Sequence, residues 1–461
     1  MLMAATASVV SASPQLNKFW DHTTRGEDVQ SSSQEKRGVD GELANYGLRV
    51  RKQDPNKLGI DRVRQYSGYL DNDVQDKHVF FWFFESRNKP STDPVVLWLQ
   101  GGPGAASTLG LFAEIGPAQF PGGKLASNPN SWNNNASLIV IDQPVNVGFS
   151  YSKYNVSSTE DASKDIYALL SLFFYTFPEY ANQDFYITGE SYEGHYAPVF
   201  ANTILSHHNR NINLKGVMIG NGWIDPYTQF QYNQAMACGQ GGIPAALNET
   251  ECKYLGDHIP QCIDLIWKCY DTQKTEICFE ANNYCESIIW TWFENTGHNR
   301  FDLFNHTSPP YVPSPYTEWL DSPDTKMVIG VDPNIPYRVV NPAVARDFNH
   351  TGDPARPTHL LLPGLLDQIP LLFYVGDYDF TCNWLGIQAA AKAIPWRGQA
   401  GFNNAPIKQL DAPTQKNYGT IQTYQGLSYI RIFKAGHSAP AYQPVALLDV
   451  LNRFIGGEWH K

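Results

Sequence analysis

Short apolar runs bounded by turn residues recur along the chain: His78–Glu85, Pro94–Leu99, Ser137–Ile141, Phe185–Thr188, Leu214–Ile219, Leu371–Val375 and Tyr429–Phe433. Their β-branched and aromatic content predicts strands. Between Ser137–Ile141 and Phe185–Thr188, the segment Glu160–Phe177 sets Ile166, Leu169, Leu170, Phe173 and Phe174 at helical spacing, behind Thr159 as candidate cap. Strand, helix, strand predicts a parallel βαβ unit. Runs apolar at nearly every position, such as Pro94–Leu99, fit a sheet covered by helices on both faces. The rhythm breaks from about 225 to 358, a stretch rich in cysteine and proline, and strand-like segments resume after it. An α/β architecture is therefore expected: a tail (1–45), a first part of the core (46–224), an inserted cap (225–358) and a second part of the core (359–461). No internal repeat is present.

With 461 residues, 42% of them hydrophobic, the chain can bury a large core. Its 34 Lys+Arg against 45 Asp+Glu give a net charge of -11, and no basic, aromatic-interleaved stretch exists, which argues against nucleic acid as a partner. No run reaches the roughly 18 apolar residues of a membrane span. Six of seven cysteines (Cys238, Cys252, Cys262, Cys269, Cys278, Cys285) crowd into 48 residues, while Cys382 stands apart. With no C-x2-C pair among them, the cluster reads as a disulfide-stapled insert made in an oxidising compartment, not a zinc site. Five Asn-x-Ser/Thr sequons, at Asn135, Asn155, Asn248, Asn305 and Asn349, add N-linked glycans as expected partners. The apolar Met1–Ala12 segment resembles the tail of a signal peptide without its positive n-region. Lys36-Arg37 reads either as a dibasic processing site or as a solvated charge pair.

Gly189-Glu190-Ser191-Tyr192-Glu193-Gly194 follows a predicted strand, the setting in which a G-x-S-x-G turn exposes a nucleophilic serine. Position 193 holds Glu where that motif has its second glycine, so crowding of the turn is expected there. A serine needs a base, and the base a carboxylate that holds its tautomer; the order Ser, Asp or Glu, His is met by Ser191, then Asp377 or Asp379, then His437. Both later groups sit just after predicted strands, where open α/β sheets gather their sites. The turn Gln100–Gly104 offers free N–H groups for an oxyanion, together with the N–H of Tyr192. Neither a GK[ST] nor a GxGxxG phosphate motif occurs.

These segments resemble one family. WLQGGPGAAS (98–107), IDQPVNVGFSYS (141–152), GESYEGHY (189–196), IGNGWIDP (219–226), GDYDFTCNWLG (376–386) and the Gly-His at 436–437 look like the serine carboxypeptidases, over the chain from about Leu48 onward. The resemblance implies an α/β-hydrolase fold, a mostly parallel sheet flanked by helices with a disulfide-stapled helical cap, and a triad of Ser191, Asp379 and His437, with Asp377 as the alternative acid. It implies Gly102 and Tyr192 as oxyanion donors, and Gln100, Glu114 and Glu190 as the residues receiving the terminal carboxylate of a peptide or protein substrate. It also implies the pairs Cys238–Cys252, Cys262–Cys285 and Cys269–Cys278, each contributing on the order of 3 kcal/mol if unstrained, and a free Cys382. No metal or cofactor is implied. Two carboxyls beside a substrate carboxylate cannot all be ionised, so an acidic activity optimum is expected.

Three positions depart from the family pattern: Gln100 where Asn is usual, Ala105 where Cys is usual (so one bridge is missing) and Glu193 where Ala is usual. They leave an acyltransferase with the same triad, or a silent binding protein on the same fold, as rival readings. The expected route is secretory, ending in a vacuole or outside the cell.

Overall fold

The computed structural model describes residues 41–293, 297–304 and 315–460; residues 1–40, with Lys36-Arg37, and the Asn305 sequon lie outside them. Six parallel strands form the centre of a 12-stranded sheet: β1 (Val95–Leu99), β2 (Ser137–Ile141), β3 (Phe185–Glu190), β4 (Leu214–Gly220), β5 (Leu371–Gly376) and β6 (Leu427–Ile432), in the spatial order β2-β1-β3-β4-β5-β6. Alternate residues serve opposite faces. Val95, Leu97 and Leu99 enter one core, Val96 and Trp98 the other, and all are fully buried. This is why β1 carries no polar alternation.

Antiparallel strands close both edges: Gly47–Gln53, Gln65–Asn72 and Lys77–Phe84 beside β2, and Gly419–Tyr424 and Lys408–Leu410 beside β6. Helices α1 (Thr159–Thr176) and α2 (Glu193–Ser206) cover one face. The cap of α1 is Ser158, whose side chain accepts from the Asp161 N–H, and not Thr159. The Thr159 hydroxyl is engaged elsewhere, donating to Asp353 at 2.6 Å.

Between β4 and β5 the inserted region holds helices α3 (Glu249–Thr272) and α4 (Thr275–Phe293) with a hydrophobic cluster of their own. Disulfides Cys262–Cys285 and Cys269–Cys278 staple α3 to α4, and Cys238–Cys252 ties the approach to α3. The later part of the same region behaves differently: Tyr316, Leu320 and Ile329 pack into one core of the sheet, and Val344 and Phe348 into the other. Among the described residues no helix is long and apolar enough to cross a membrane.

The chain runs from β1 outward to β2 and then returns to place β3 on the other side of β1. The order therefore reverses between β1 and β3, and in an open parallel sheet the crevice at such a reversal, beyond the carboxyl ends of the strands, is where ligands bind. The Gln100 turn and Ser191 flank that crevice.

Candidate active site

Ser191 joins β3 to α2 with φ 66, a left-handed conformation uncommon for residues other than glycine. Its main chain is held there: the Ser191 N–H donates to the Gly220 carbonyl at 3.0 Å, while its own carbonyl accepts from the N–H groups of Gly194 (3.0 Å) and Trp223 (2.8 Å). Glycines permit the crowding. A Cβ on Gly189 would lie 2.1 Å from the Leu99 oxygen, one on Gly101 2.2 Å from the Tyr192 nitrogen, and one on Gly194 2.7 Å from the Trp223 nitrogen. The close crossing is thus made at Gly194, one residue beyond the position the simple motif predicts. Glu193 does not crowd it, because its side chain turns under the elbow beside Gly189. There the carboxyl is completely buried, and neither oxygen has a hydrogen-bond partner.

The candidate acid and base meet beyond the ends of β5 and β6. His437 Nδ1 lies 2.7 Å from Asp379 Oδ2, with His437 3% and Asp379 0% exposed. The same oxygen accepts from Asn221 Nδ2 (2.9 Å) and the Cys382 N–H (3.2 Å). Burial pulls the His437 imidazolium down, but the charge and hydrogen bond of Asp379, then the charge of Glu190, outweigh it and leave its pKa above the ordinary value. Asp377 faces away from the histidine: its carboxylate accepts from Arg431 (3.4 Å) and from the Lys434 N–H (2.8 Å). Cys382 is free and buried beside the pair, and burial pushes its thiol well up, so it remains a neutral thiol.

On the other side of the elbow lie the residues matched to carboxylate binding. Gln100 Nε2 donates to Glu190 Oε1 at 2.6 Å, Ser438 Oγ donates to the same oxygen at 3.1 Å, and Trp98 Nε1 donates to Gln100 Oε1 at 3.3 Å. The longer glutamine therefore still reaches Glu190. Burial raises Glu114 to about 7; burial, then the Glu114 charge, raises Glu190 well above the carboxylate range. Two such groups behind one wall hold at least one proton at neutral pH. Ala105 pairs through its backbone with Val340 of the inserted region, where the family bridge would start. Gly102, exposed and with φ 112, and Tyr192 stand on the two facing turns.

Sequence reasoning did not single out Asn221, Ser438 or Trp98. Asn221 and Trp98 lie inside quoted motif blocks and Ser438 directly follows His437, but nothing in one sequence announces whom they face. Of the sequons, Asn248 is exposed and also caps α3, its side-chain oxygen accepting from the N–H groups of Thr250 and Glu251. The side-chain nitrogens of Asn135, Asn155 and Asn349 donate to Asn452, Asp347 and Asn283.

A profile of the family described as serine carboxypeptidase matches residues 55–457. The chain is 49% identical over 454 residues to carboxypeptidase Y homolog A of Fusarium vanettenii, covering 96% of this chain and 84% of that one, and 49% identical over 460 residues to the homolog of Coccidioides posadasii, covering 95% and 84%. Among solved structures it is similar to Kex1(delta)p, a prohormone-processing carboxypeptidase of Saccharomyces cerevisiae, with a TM-score of 0.76 at 25% identity over 86% of this chain and 92% of that one. With the family match over residues 55–457, the α/β-hydrolase sheet and the stapled insert in place, the chain belongs to the serine carboxypeptidase family.

Proposed function

We propose that the protein releases C-terminal amino acids from peptides through an acyl-enzyme on Ser191. The observation that carries this reading is the buried 2.7 Å contact of His437 Nδ1 with Asp379, on the same edge of the sheet as the strained Ser191 turn. Asp379 fixes the tautomer that leaves Nε2 as the base. The Ser191 oxygen attacks the last peptide carbonyl carbon as Nε2 takes its proton; that proton then passes to the departing amine as the C–N bond breaks. Water, deprotonated by the same nitrogen, attacks the ester and frees Ser191. The Gly102 and Tyr192 N–H groups receive the oxyanion.

Gln100, Glu190 and Glu114 receive the terminal carboxylate, and the proton kept in the pair donates to it. Ionisation of the pair removes that proton and sets charge against charge. KM for substrates with a free carboxylate therefore rises as the pH passes about 7, where Glu114 ionises. On the acid side His437 protonates and kcat falls. A protonated Glu190 removes one of the charges that hold the imidazolium, extending activity toward acid. The kcat/KM profile is then bell-shaped, with its acid limb set by the raised pKa of the His437 imidazolium and its alkaline limb beginning near about pH 7.

The test is labelling with a fluorophosphonate, followed by turnover of blocked dipeptides bearing a free or an amidated C-terminus. Labelling at Ser191 with selective turnover of the free acids supports the reading. Absence of labelling on folded protein overturns it, and labelling without release of amino acid indicates acyl transfer instead. The disulfides, and an exposed Asn248 ready for a glycan, further support passage through the secretory route to a vacuole or the exterior.

A further inference from the structure

Asp353 lies in the inserted region, 161 residues from the nucleophile's neighbour, and is 3% exposed. Its Oδ2 accepts from the Tyr192 hydroxyl at 2.5 Å and from the Thr159 hydroxyl at 2.6 Å, and its Oδ1 accepts from the Thr159 N–H at 2.9 Å, in the first turn of α1. The next residue extends the hold to the other side of the elbow. The Pro354 carbonyl accepts from Trp223 Nε1 at 2.9 Å, and the Trp223 N–H donates to the Ser191 carbonyl at 2.8 Å. The turn carrying both is itself seated on a disulfide. Gly352, at φ 70, leaves no room for a Cβ, which would come 2.4 Å from Cys278 Cβ, and the Ala355 oxygen lies 3.4 Å from Cys269 Sγ.

We infer that Asp353 is a positioning residue for the acylation step: through the Tyr192 hydroxyl it fixes the residue whose N–H receives the oxyanion, and it anchors that residue to the disulfide-stapled insert. This rests on the acyl-enzyme reading above. The physical reason is geometric. An oxyanion donor is useful only within a few tenths of an ångström of its place, and Tyr192 follows a residue held in a strained conformation, so its peptide needs restraint from outside the turn. A buried carboxylate accepting three hydrogen bonds from two different elements supplies it, with charge-assisted bonds stronger than neutral ones.

The experiment compares wild type, Asp353→Asn, Tyr192→Phe and the double variant with blocked dipeptides, alongside the rate of fluorophosphonate labelling and thermal unfolding. Expected are falls in kcat of about tenfold or more in each single variant, KM within about twofold of wild type, slower labelling in proportion to kcat, and a double variant no slower than Asp353→Asn alone, because the Tyr192 contact is already broken in that variant. Tyr192→Phe deletes a single oxygen and decides the matter if Asp353→Asn does not fold. Unchanged kcat and labelling in folded Tyr192→Phe, or fully additive losses in the double variant, overturn the inference while leaving the acyl-enzyme reading intact. Failure of wild type to label at Ser191 overturns that reading separately.

Discussion

Two buried carboxyl sites flank Ser191, and they are built on opposite principles. Asp379 lies under His437 with three donors converging on one oxygen, from a ring, an amide and a main-chain N–H. Glu114 and Glu190 are just as deeply buried but set carboxyl against carboxyl, and Glu190 accepts only from two neutral side chains, Gln100 and Ser438. Converging donors stabilise a buried anion; a second carboxyl beside it favours the neutral acid. Under the proposed function the difference teaches what each site would do: a fixed acceptor orients the base, whereas an acid kept neutral donates to an incoming carboxylate.

The largest expected effect comes from breaking the first site. Ser191→Ala should lower kcat by about 10⁵-fold or more, and Asp379→Asn by roughly 10⁴-fold, because the wrong histidine tautomer is then held; these magnitudes are those of other serine hydrolases. Asp377→Asn, which touches Arg431 and not the histidine, should leave kcat within about threefold. Steady-state turnover of one blocked dipeptide checks all three, and equal losses at both aspartates would refute the assignment of the acid.

Breaking the second site should be milder and selective. Glu190→Ala removes the acceptor for Gln100 and Ser438, and about 100-fold should be lost from kcat/KM for free-acid substrates, with much less for amides. The double variant Glu114→Gln, Glu190→Gln imitates the protonated pair, so its KM should stay flat from pH 5 to 8 where that of wild type rises. A rise of equal size in both would remove the pair from the explanation. Gln100→Asn shortens a side chain now 2.6 Å from Glu190 and should cost about fivefold in kcat/KM, the worth of one hydrogen bond.

Much of this contrast was legible in the sequence. The six parallel strands stand out because both faces of each are buried, and Ser191, Asp379 and His437 because each lies one, three or five residues beyond the carboxyl end of one of those strands. Most of the antiparallel edge strands escaped notice. Gly47–Gln53 buries only alternate residues, and its charged positions hide the pattern. What the sequence could not carry was convergence across distance: Asn221 meets Asp379 across 158 residues and Tyr192 meets Asp353 across 161. The elbow was misread for a local reason, since the motif places the crossing glycine at 193 whereas the backbone crosses Trp223 at Gly194. Thr159 suits a cap by its hydroxyl, but Asp353 claims that hydroxyl, and Ser158 caps α1 instead.

Glu193 sharpens the comparison with the smallest effect on turnover, because it lies beneath the elbow and not in the carboxylate pocket. Burial alone pushes its carboxyl well above the ordinary range, with no charge or donor to offset it. In the unfolded chain it ionises near about 4.3, so between that pH and its folded value the unfolded state binds fewer protons than the native state. The derivative of unfolding free energy with pH is then negative: stability is lost as pH rises, by up to about 1.4 kcal/mol per pH unit for this one group. Glu193→Gln keeps the volume and removes the titration. Its unfolding midpoint in urea should fall less than that of wild type between pH 5 and 8, with kcat at pH 5 within about twofold. Parallel declines in the two proteins would mean that Glu193 is already ionised in the fold, and that a buried charge without donors is tolerated two residues from the nucleophile.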